Sequence, residues 1–372
     1  MEPESHDRFD GRLSQIEAAF GGHEALEVCA LHTQALLRRR KVRTALDLLR
    51  LALHYGGSQG SLRQTAAWAG IALGIQLSDV SLLERLREMG DFLAALATQL
   101  LASATVPEAA LPRWPGPPIR LTDGSLFTGP GAKGFQQRLH ASYDPDRQAF
   151  DRFEVSDVHQ GEDLTRLGVQ AGCVYVGDRN FSKTRALRAV HEGQAFFVTR
   201  AGLRSMCMVN QANGERLNGA AVLQALGQAQ TGELAITIRE AKGKASTKPP
   251  ALPIRLILVR ASAQQAARER ARVKRSRSKF GVEPTAQTQQ AVEVLMVATN
   301  LPVQDWPAER VYALYRLRWQ IELAFKTLKS LFQMRHVPAN DPKLARTWVL
   351  ANLIIALLSQ KLCDTLEGAF SP

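Results

Sequence analysis

YRLRWQIELAFKTLK, residues 315–329, carries a tyrosine, an arginine, a glutamate and a lysine at helical spacing. At 3.6 residues per turn, Tyr315, Arg318, Glu322 and Lys329 fall within roughly 60° of one another on a single helix. Leu314, Leu317, Ile321, Phe325, Leu328 and Phe332 occupy the neighbouring arc, so an apolar stripe docks the helix and a polar stripe runs along its edge. One carboxylate among cations suits a site in which Glu322 holds a metal ion while Arg318, Lys329 and the Tyr315 hydroxyl grip phosphates around it. The plain alternative is a surface helix whose Arg318 and Glu322 form an i,i+4 pair contributing about 0.2–0.5 kcal/mol. Tyr and Lys in register with that pair weigh against the plain alternative, and the rest of the chain has to decide.

Upstream of this helix the pattern is that of a sheet. IRLTDGSLF (119–127), FQQRLHASYD (135–144), AFDRFEVSDV (149–158), CVYVGDRNF (173–181) and AFFVTR (195–200) are short β-rich runs separated by Gly, Pro and Asp turns. GEDLTRLG (161–168) and SKTRALRAVHEG (182–193) read as helices after the third and fourth runs. Hairpin strands followed by strand-helix units indicate a mixed α/β sheet. The pattern lapses from about 203 to 285 into GELAITIRE, PIRLILVR, the linker KGKASTKPP and the basic run ARERARVKRSRSKF (267–280), then resumes at VEVLMVATNL (292–301). The intervening segment therefore reads as a largely β insertion into one sheet domain. Pro307 suits the first turn of the helical region that follows.

Before the sheet the period is helical. Leucine and alanine recur at three and four residue spacings in GRLSQIEAAF (11–20), RTALDLLRLALHY (43–55) and VSLLERLREMGDFLAALATQLLAS (80–103). SLRQTAAWAGIALGIQLSDVSLLERLR (61–87) reads as helix, Gly-containing bend and second helix, with Ser78 and Asp79 as N-cap candidates. Two readings of that unit stand side by side, a DNA-contacting helix-turn-helix and a plain bundle. PRWPGPP (112–118) is the boundary, because proline removes amide donors and glycine breaks the helix. The expected organisation is a helical DNA-binding domain over 1–111, a linker over 112–118, a first catalytic part over 119–202, a β-rich insertion over 203–290, and a second catalytic part with the Glu-bearing helix and a C-terminal helix over 291–372.

Composition narrows the class of function. A 372-residue chain with a formal net charge of +12 and a pI near 9.9 favours a polyanionic partner, nucleic acid or an acidic membrane surface. No uninterrupted apolar run is expected to span a bilayer, and MEPESHDRFD is too acidic for a signal peptide, so the expectation is a cytoplasmic protein without a membrane partner. Cys29, Cys173, Cys207 and Cys363 form no Cys-x-x-Cys pair, and no His-x3-His spacing occurs. A metal site would therefore use oxygen ligands.

Carboxylates at strand ends are few. The strand IRLTDGSLF runs into Asp123, with Gly124 and Ser125 allowing close approach to a phosphate, and CVYVGDRNF runs into Asp178. Either alone is more often a turn or cap residue. With Glu322 they form an ordered Asp, Asp, Glu set, and divalent-metal phosphoryl transfer needs two or three such groups converging from different elements.

On these residues the chain resembles the DDE transposases of bacterial insertion sequences, in the insertion-sequence-four-like branch marked by Tyr-x2-Arg-x3-Glu-x6-Lys. Tyr315, Arg318, Glu322 and Lys329 meet that spacing, and TDGS (122–125), GDRNF (177–181), ATNLP (298–302) and RQTAAWAGIALGIQLSDVSLLERL (63–86) support it. The resemblance implies a ribonuclease-H-like catalytic domain with the insertion between the second aspartate and the glutamate. It implies catalytic and metal-binding roles for Asp123, Asp178 and Glu322 with two Mg2+ ions, or Mn2+ in their place, and a homodimer holding double-stranded transposon ends and target. Arg318, Lys329 and Tyr315 would contact DNA. The basic run, through Arg272, Lys274 and Arg275, either follows the DNA backbone or is a solvated face. Two other functions compete: a catalytically silent DNA-binding regulator or inhibitor of transposition, and a nuclease acting on RNA-DNA hybrids.

Overall fold

The computed structural model describes residues 16–58, 60–103, 116–130, 136–203, 205–240, 250–278, 292–331 and 337–370. Helices α1 (His23–His32), α2 (Ala45–Gly57), α3 (Leu62–Ala72), α4 (Asp79–Arg87) and α5 (Gly90–Ser103) come first. Side chains cap three of them at their N-termini, Ser78 among them as the sequence suggests. Thr44 accepts from the Asp47 amide, Ser61 and Gln64 form a capping box, and Ser78 accepts from the Ser81 amide, each cap satisfying amides that the first helical turn leaves without a partner. Gly74, at φ 67°, turns the chain between α3 and α4 in a conformation that L side chains rarely adopt.

The described strands make a single mixed sheet: β1 (Ile119–Thr128), β2 (Gln136–Asp144), β3 (Ala149–Asp157), β4 (Val174–Gly177), β5 (Phe196–Arg200), β6 (Cys207–Asn210), β7 (Thr231–Arg239), β8 (Leu252–Arg260) and β9 (Val294–Thr299). Their order is β3-β2-β1-β4-β5-β9-β8-β7-β6. β1 to β3 form an antiparallel meander, while β4 and β5 lie parallel to β1 and to each other. All four residues of β4 are buried, as a central parallel strand covered on both faces requires. β9 returns antiparallel to β5, and β8, β7 and β6 extend the sheet beyond it. The insertion strands thus continue the sheet. α7 (Gly219–Leu226) and the basic helix α8 (Ala263–Ser278) lie between them in sequence, whereas α6 (Thr184–Glu192) joins β4 to β5.

Alternation along the strands sorts side chains onto two faces. Ile119, Leu121, Val174, Val176, Val198, Ile257 and Val297 share one core with helices α9 (Ala308–Arg316), α10 (Trp319–Leu331) and α11 (Pro342–Phe370). Tyr175, Phe197, Leu256, Leu258 and Met296 share the other with α6 and α7. The first core is continuous with Leu48, Leu49, Leu86, Phe92 and Leu96 of α2, α4 and α5. α11 packs on α2, α4 and α5 and also touches β2 and β3, so it ties the helical region to the sheet. Gly56 of α2 sits so close to α11 that a Cβ there would lie 2.8 Å from the Ala351 Cβ, and the Asn352 amide donates to the Gly56 carbonyl at 3.2 Å.

Three expectations need correction. The single helix expected over 315–329 is two helices, α9 and α10, with a turn at Leu317 and Arg318. The amides of Leu317, Arg318 and Gln320 bond three residues back, to Leu314, Tyr315 and Leu317, which tightens the chain locally. The turn lets α9 cross β5, β8 and β9 while α10 lies on β1, with Tyr315 and Ile321 both buried. Residues 161–168 form turns and irregular backbone, not a helix; eight residues with a glycine at each end are too few to hold a helix alone, and Arg166 pairs with Glu154 of the sheet at 2.8 Å. Finally, one stretch, Pro342–Lys361 of α11, is long and apolar enough to cross a bilayer by length and composition. Its apolarity reflects packing, since Trp348, Leu350, Leu353 and Ile354 are buried against protein. The boundary at 112–118 lies partly outside the described residues, as does Phe332.

Candidate active site

Asp123 sits in the middle of β1, not at the strand end expected from the sequence, because β1 runs on through Gly124 and Ser125 to Thr128 paired with β2; it lies on the face that carries Leu121 and α10. The parallel pairing of β1 with β4 runs Ile119 to Val174 and Leu121 to Val176. β4 ends at Gly177, so Asp178 follows directly on the strand beside β1, near enough for its charge to act on Asp123. Asp178 leaves β4 and caps a short 3-10 turn, Arg179–Phe181, its carboxylate accepting from the Asn180 amide at 2.7 Å. Gly177 makes this return possible, because a Cβ there would stand 2.8 Å from the Phe181 Cβ.

Burial pushes the Asp123 carboxyl up to about 7; a hydrogen bond from the Gly124 amide at 2.8 Å opposes that rise, and the neighbouring charge of Asp178 adds to it. Arg318 pulls it back and Glu162 pushes it further. Glu162 reaches β1 from the loop after β3. It lies where a Cβ on Gly124 would be, 2.6 Å from its Oε1, and 3.8 Å from the Arg138 Nε. Nothing in the residue spacing marked Glu162, since only the folded loop brings it to Gly124.

Glu322 stands in the first turn of α10. Its Oε1 accepts from the Arg318 Nη1 at 2.5 Å. Arg318 also lies 5.8 Å from the centroid of the Tyr315 ring. Burial raises the Tyr315 hydroxyl above its ordinary range, against the pull of Arg318 and Arg200. Lys329 donates to the Leu126 carbonyl at 2.7 Å and lies 4.9 Å over the Phe127 ring, and burial lowers its pKa.

Asp123, Ser125, Glu322, Phe325, Lys326 and Lys329 line one cleft of about 350 Å³. Tyr315 and Arg318 line a larger one of about 790 Å³ on the other side of the α9–α10 turn, together with Arg200, Arg268, Arg316 and Trp319. Trp319 is 59% exposed there. Of the expected basic run, Lys274 and Arg275 are exposed on α8, and Arg272 belongs to the same helix. The α8 residues that border the large cleft are Gln265, Arg268 and Glu269, of which Arg268 belongs to the same basic run, one turn before Arg272.

The donor set suits a hard divalent cation. It consists of oxygen ligands only, one within β1, one just past the end of β4 and one in the first turn of α10, and Asp123 is driven toward protonation when no cation neutralises it. Among the described residues no three His, Cys, Asp or Glu side chains already stand as a ligand group. Glu322 would have to exchange Arg318 for the cation.

A comparison with protein families matches residues 114–358 to the transposase DDE domain. The chain is 36% identical over 356 residues to the transposase for insertion sequence element IS421 of Escherichia coli, covering 95% of this chain and 93% of that protein. It is 36% identical over 355 residues, with the same coverages, to the putative transposase InsL for insertion sequence element IS186A of Escherichia coli strain K12. The transposase for insertion sequence element IS231C of Bacillus thuringiensis subsp. berliner is 35% identical over 82 residues, 22% of this chain and 17% of that protein.

Proposed function

The chain belongs to the DDE-domain transposases of insertion sequences, and from that premise we propose that it binds the terminal inverted repeats of its own element, cleaves DNA there and joins the 3′ ends to target DNA. The observation that supports this reading is that Asp123 and Glu322 line one cleft, with Asp178, just past the end of β4, near enough to act on the Asp123 charge. Asp123, Asp178 and Glu322 would hold two Mg2+ ions, or Mn2+, which when bound activate water or a 3′ hydroxyl and stabilise the leaving oxygen of an in-line displacement. Asp123 gives up the proton that burial places on it. Glu322 leaves Arg318, and Arg318, released from the pair, turns its guanidinium to a phosphate near the cleaved end. Lys329, held over the same cleft by the Leu126 carbonyl, presents a second cation, and Tyr315 adds a hydrogen bond. Arg272, Lys274 and Arg275 of α8 follow the DNA backbone beyond the site. Two copies act together as a homodimer, with the helices before residue 112 engaging the ends.

The test uses purified protein and labelled duplexes that carry the element's own ends. Glu322→Gln should leave end binding nearly intact and reduce cleavage and strand transfer to background. Undiminished cleavage would assign the third ligand to another acidic residue. Binding without cleavage by the wild type, with Mg2+ present, would favour the silent regulator.

A further inference from the structure

The loop between α1 and α2 carries five cations in six positions: Arg38, Arg39, Arg40, Lys41 and Arg43. All five are exposed, while Leu36 and Val42 on either side are buried at 1% and 0% exposure and anchor the loop. Its shape is set by side chains of the fold. Arg39 pairs with the Glu27 Oε2 at 2.7 Å and donates to the Arg43 carbonyl at 3.0 Å, and the other Glu27 oxygen accepts from the Ala45 amide that opens α2. Arg85 of α4 donates to the Arg38 carbonyl at 2.6 Å, which fixes the loop against the second helix of the helix-bend-helix unit.

One of the five charges is therefore used inside the protein. Among the described residues, Arg38, Arg40, Lys41 and Arg43 have no carboxylate partner. Like charges this close repel one another at a cost that a polyanion relieves. The cations of α4 point elsewhere: Arg85 is spent on the loop, and Arg87 on Glu84 and Asp341. Ser78, Asp79, Val80 and Ser81 form an exposed N-terminal turn on α4 with no cation of its own.

We propose that this loop is a clamp for the sugar-phosphate backbone of duplex DNA, with Arg38, Arg40, Lys41 and Arg43 on phosphates and α4 held beside the adjoining groove. Three of the four are arginines, whose planar guanidinium matches phosphate geometry. The ligand finds the loop already ordered, so little conformational entropy is lost on binding. The inference rests on the reading of the chain as acting on DNA and adds a contact surface that the acidic site and α8 do not supply.

The test is fluorescence anisotropy of the full chain with two duplexes, the element's end and its scrambled form, over a salt series. The triple variant Arg40→Gln, Lys41→Gln, Arg43→Gln should melt like the wild type, since these side chains are exposed. It should bind both duplexes more weakly, and the slope of log K against log salt should be shallower by about 0.9 for each lost phosphate contact. Should the triple variant fail to fold, Lys41→Glu alone reads the same slope and should lower it by about 0.9 or more. Unchanged slopes, beside a wild type that binds and cuts the end duplex, would overturn the clamp and leave the transposase reading standing. A wild type that ignores both duplexes and binds phosphatidylserine vesicles through these residues would overturn both.

Discussion

Asp123 gains a proton on folding when no cation is present, and the sign of the resulting pH dependence follows. Its carboxyl rises from 3.8 to about 7 in the folded chain, so the folded state holds more protons than the unfolded one between those values, and stability falls as pH rises through that window. The cost levels off above pH 7, at about 4 kcal/mol as an upper figure. Asp123→Asn should therefore stabilise the cation-free protein against urea at pH 8 and match the wild type near pH 4; equal curves at both pH values would deny the burial argument. Arg318 poses a different question. Its i,i+4 spacing to Glu322 was legible as a plain salt bridge, and the pair is formed. Arg318→Ala should tighten Mn2+ binding, read by electron paramagnetic resonance, because it releases Glu322, and should lower the salt slope of end binding by about 0.9. A lowered melting temperature with neither change would make the residue structural. The elevation of Asp123 was not legible, because it comes first from burial in the assembled fold and only then from the neighbouring Asp178.

At the scale of elements, strands were easier to read than helices. Apolar runs such as VYVG and LMVAT are short, rich in β-branched residues and bounded by turn residues, and they became β4 and most of β9. The turn at Leu317 and Arg318 had no Pro or Gly to announce it; it follows from two docking surfaces that one straight rod cannot meet. Residues 161–168 had helix-forming composition but pack as turns, held by tertiary ion pairs. The contact of α2 with α11 is the one where side-chain volume is most critical. Gly56→Val would drive a branched side chain into Ala351 and Asn352, and should cost about 1–3 kcal/mol in urea unfolding. Gly56→Val with wild-type stability would mean that the helices slide apart freely.

Across the whole molecule, the change of period near residue 112 suggested a helical domain and a sheet domain, and one core cluster runs through both. Residues 1–111 bury Leu49, Leu86 and Phe92 in a cluster that also holds Trp348, Val349 and Ile354 of α11. A fragment of 1–111 alone should accordingly show little protection in hydrogen exchange, and Trp348→Ala should cost the full chain about 3–5 kcal/mol. A cooperative unfolding transition in the isolated fragment would restore the two-half picture. Long-range pairing of this kind leaves no local mark. The apolar period of α11 states that it is buried, not what buries it, and the strand order β3-β2-β1-β4-β5 is likewise a property of the assembled sheet.

Because α11 closes over α2, α4 and α5, those helices depend on a segment made much later in synthesis. More than two hundred residues separate the end of α5 from the start of α11, which at about 5–20 residues per second is roughly 10–50 s of translation. Throughout that interval the apolar faces of the first helices stand open on the ribosome, within reach of chaperones, and the fold can close only after α11 has emerged from the exit tunnel.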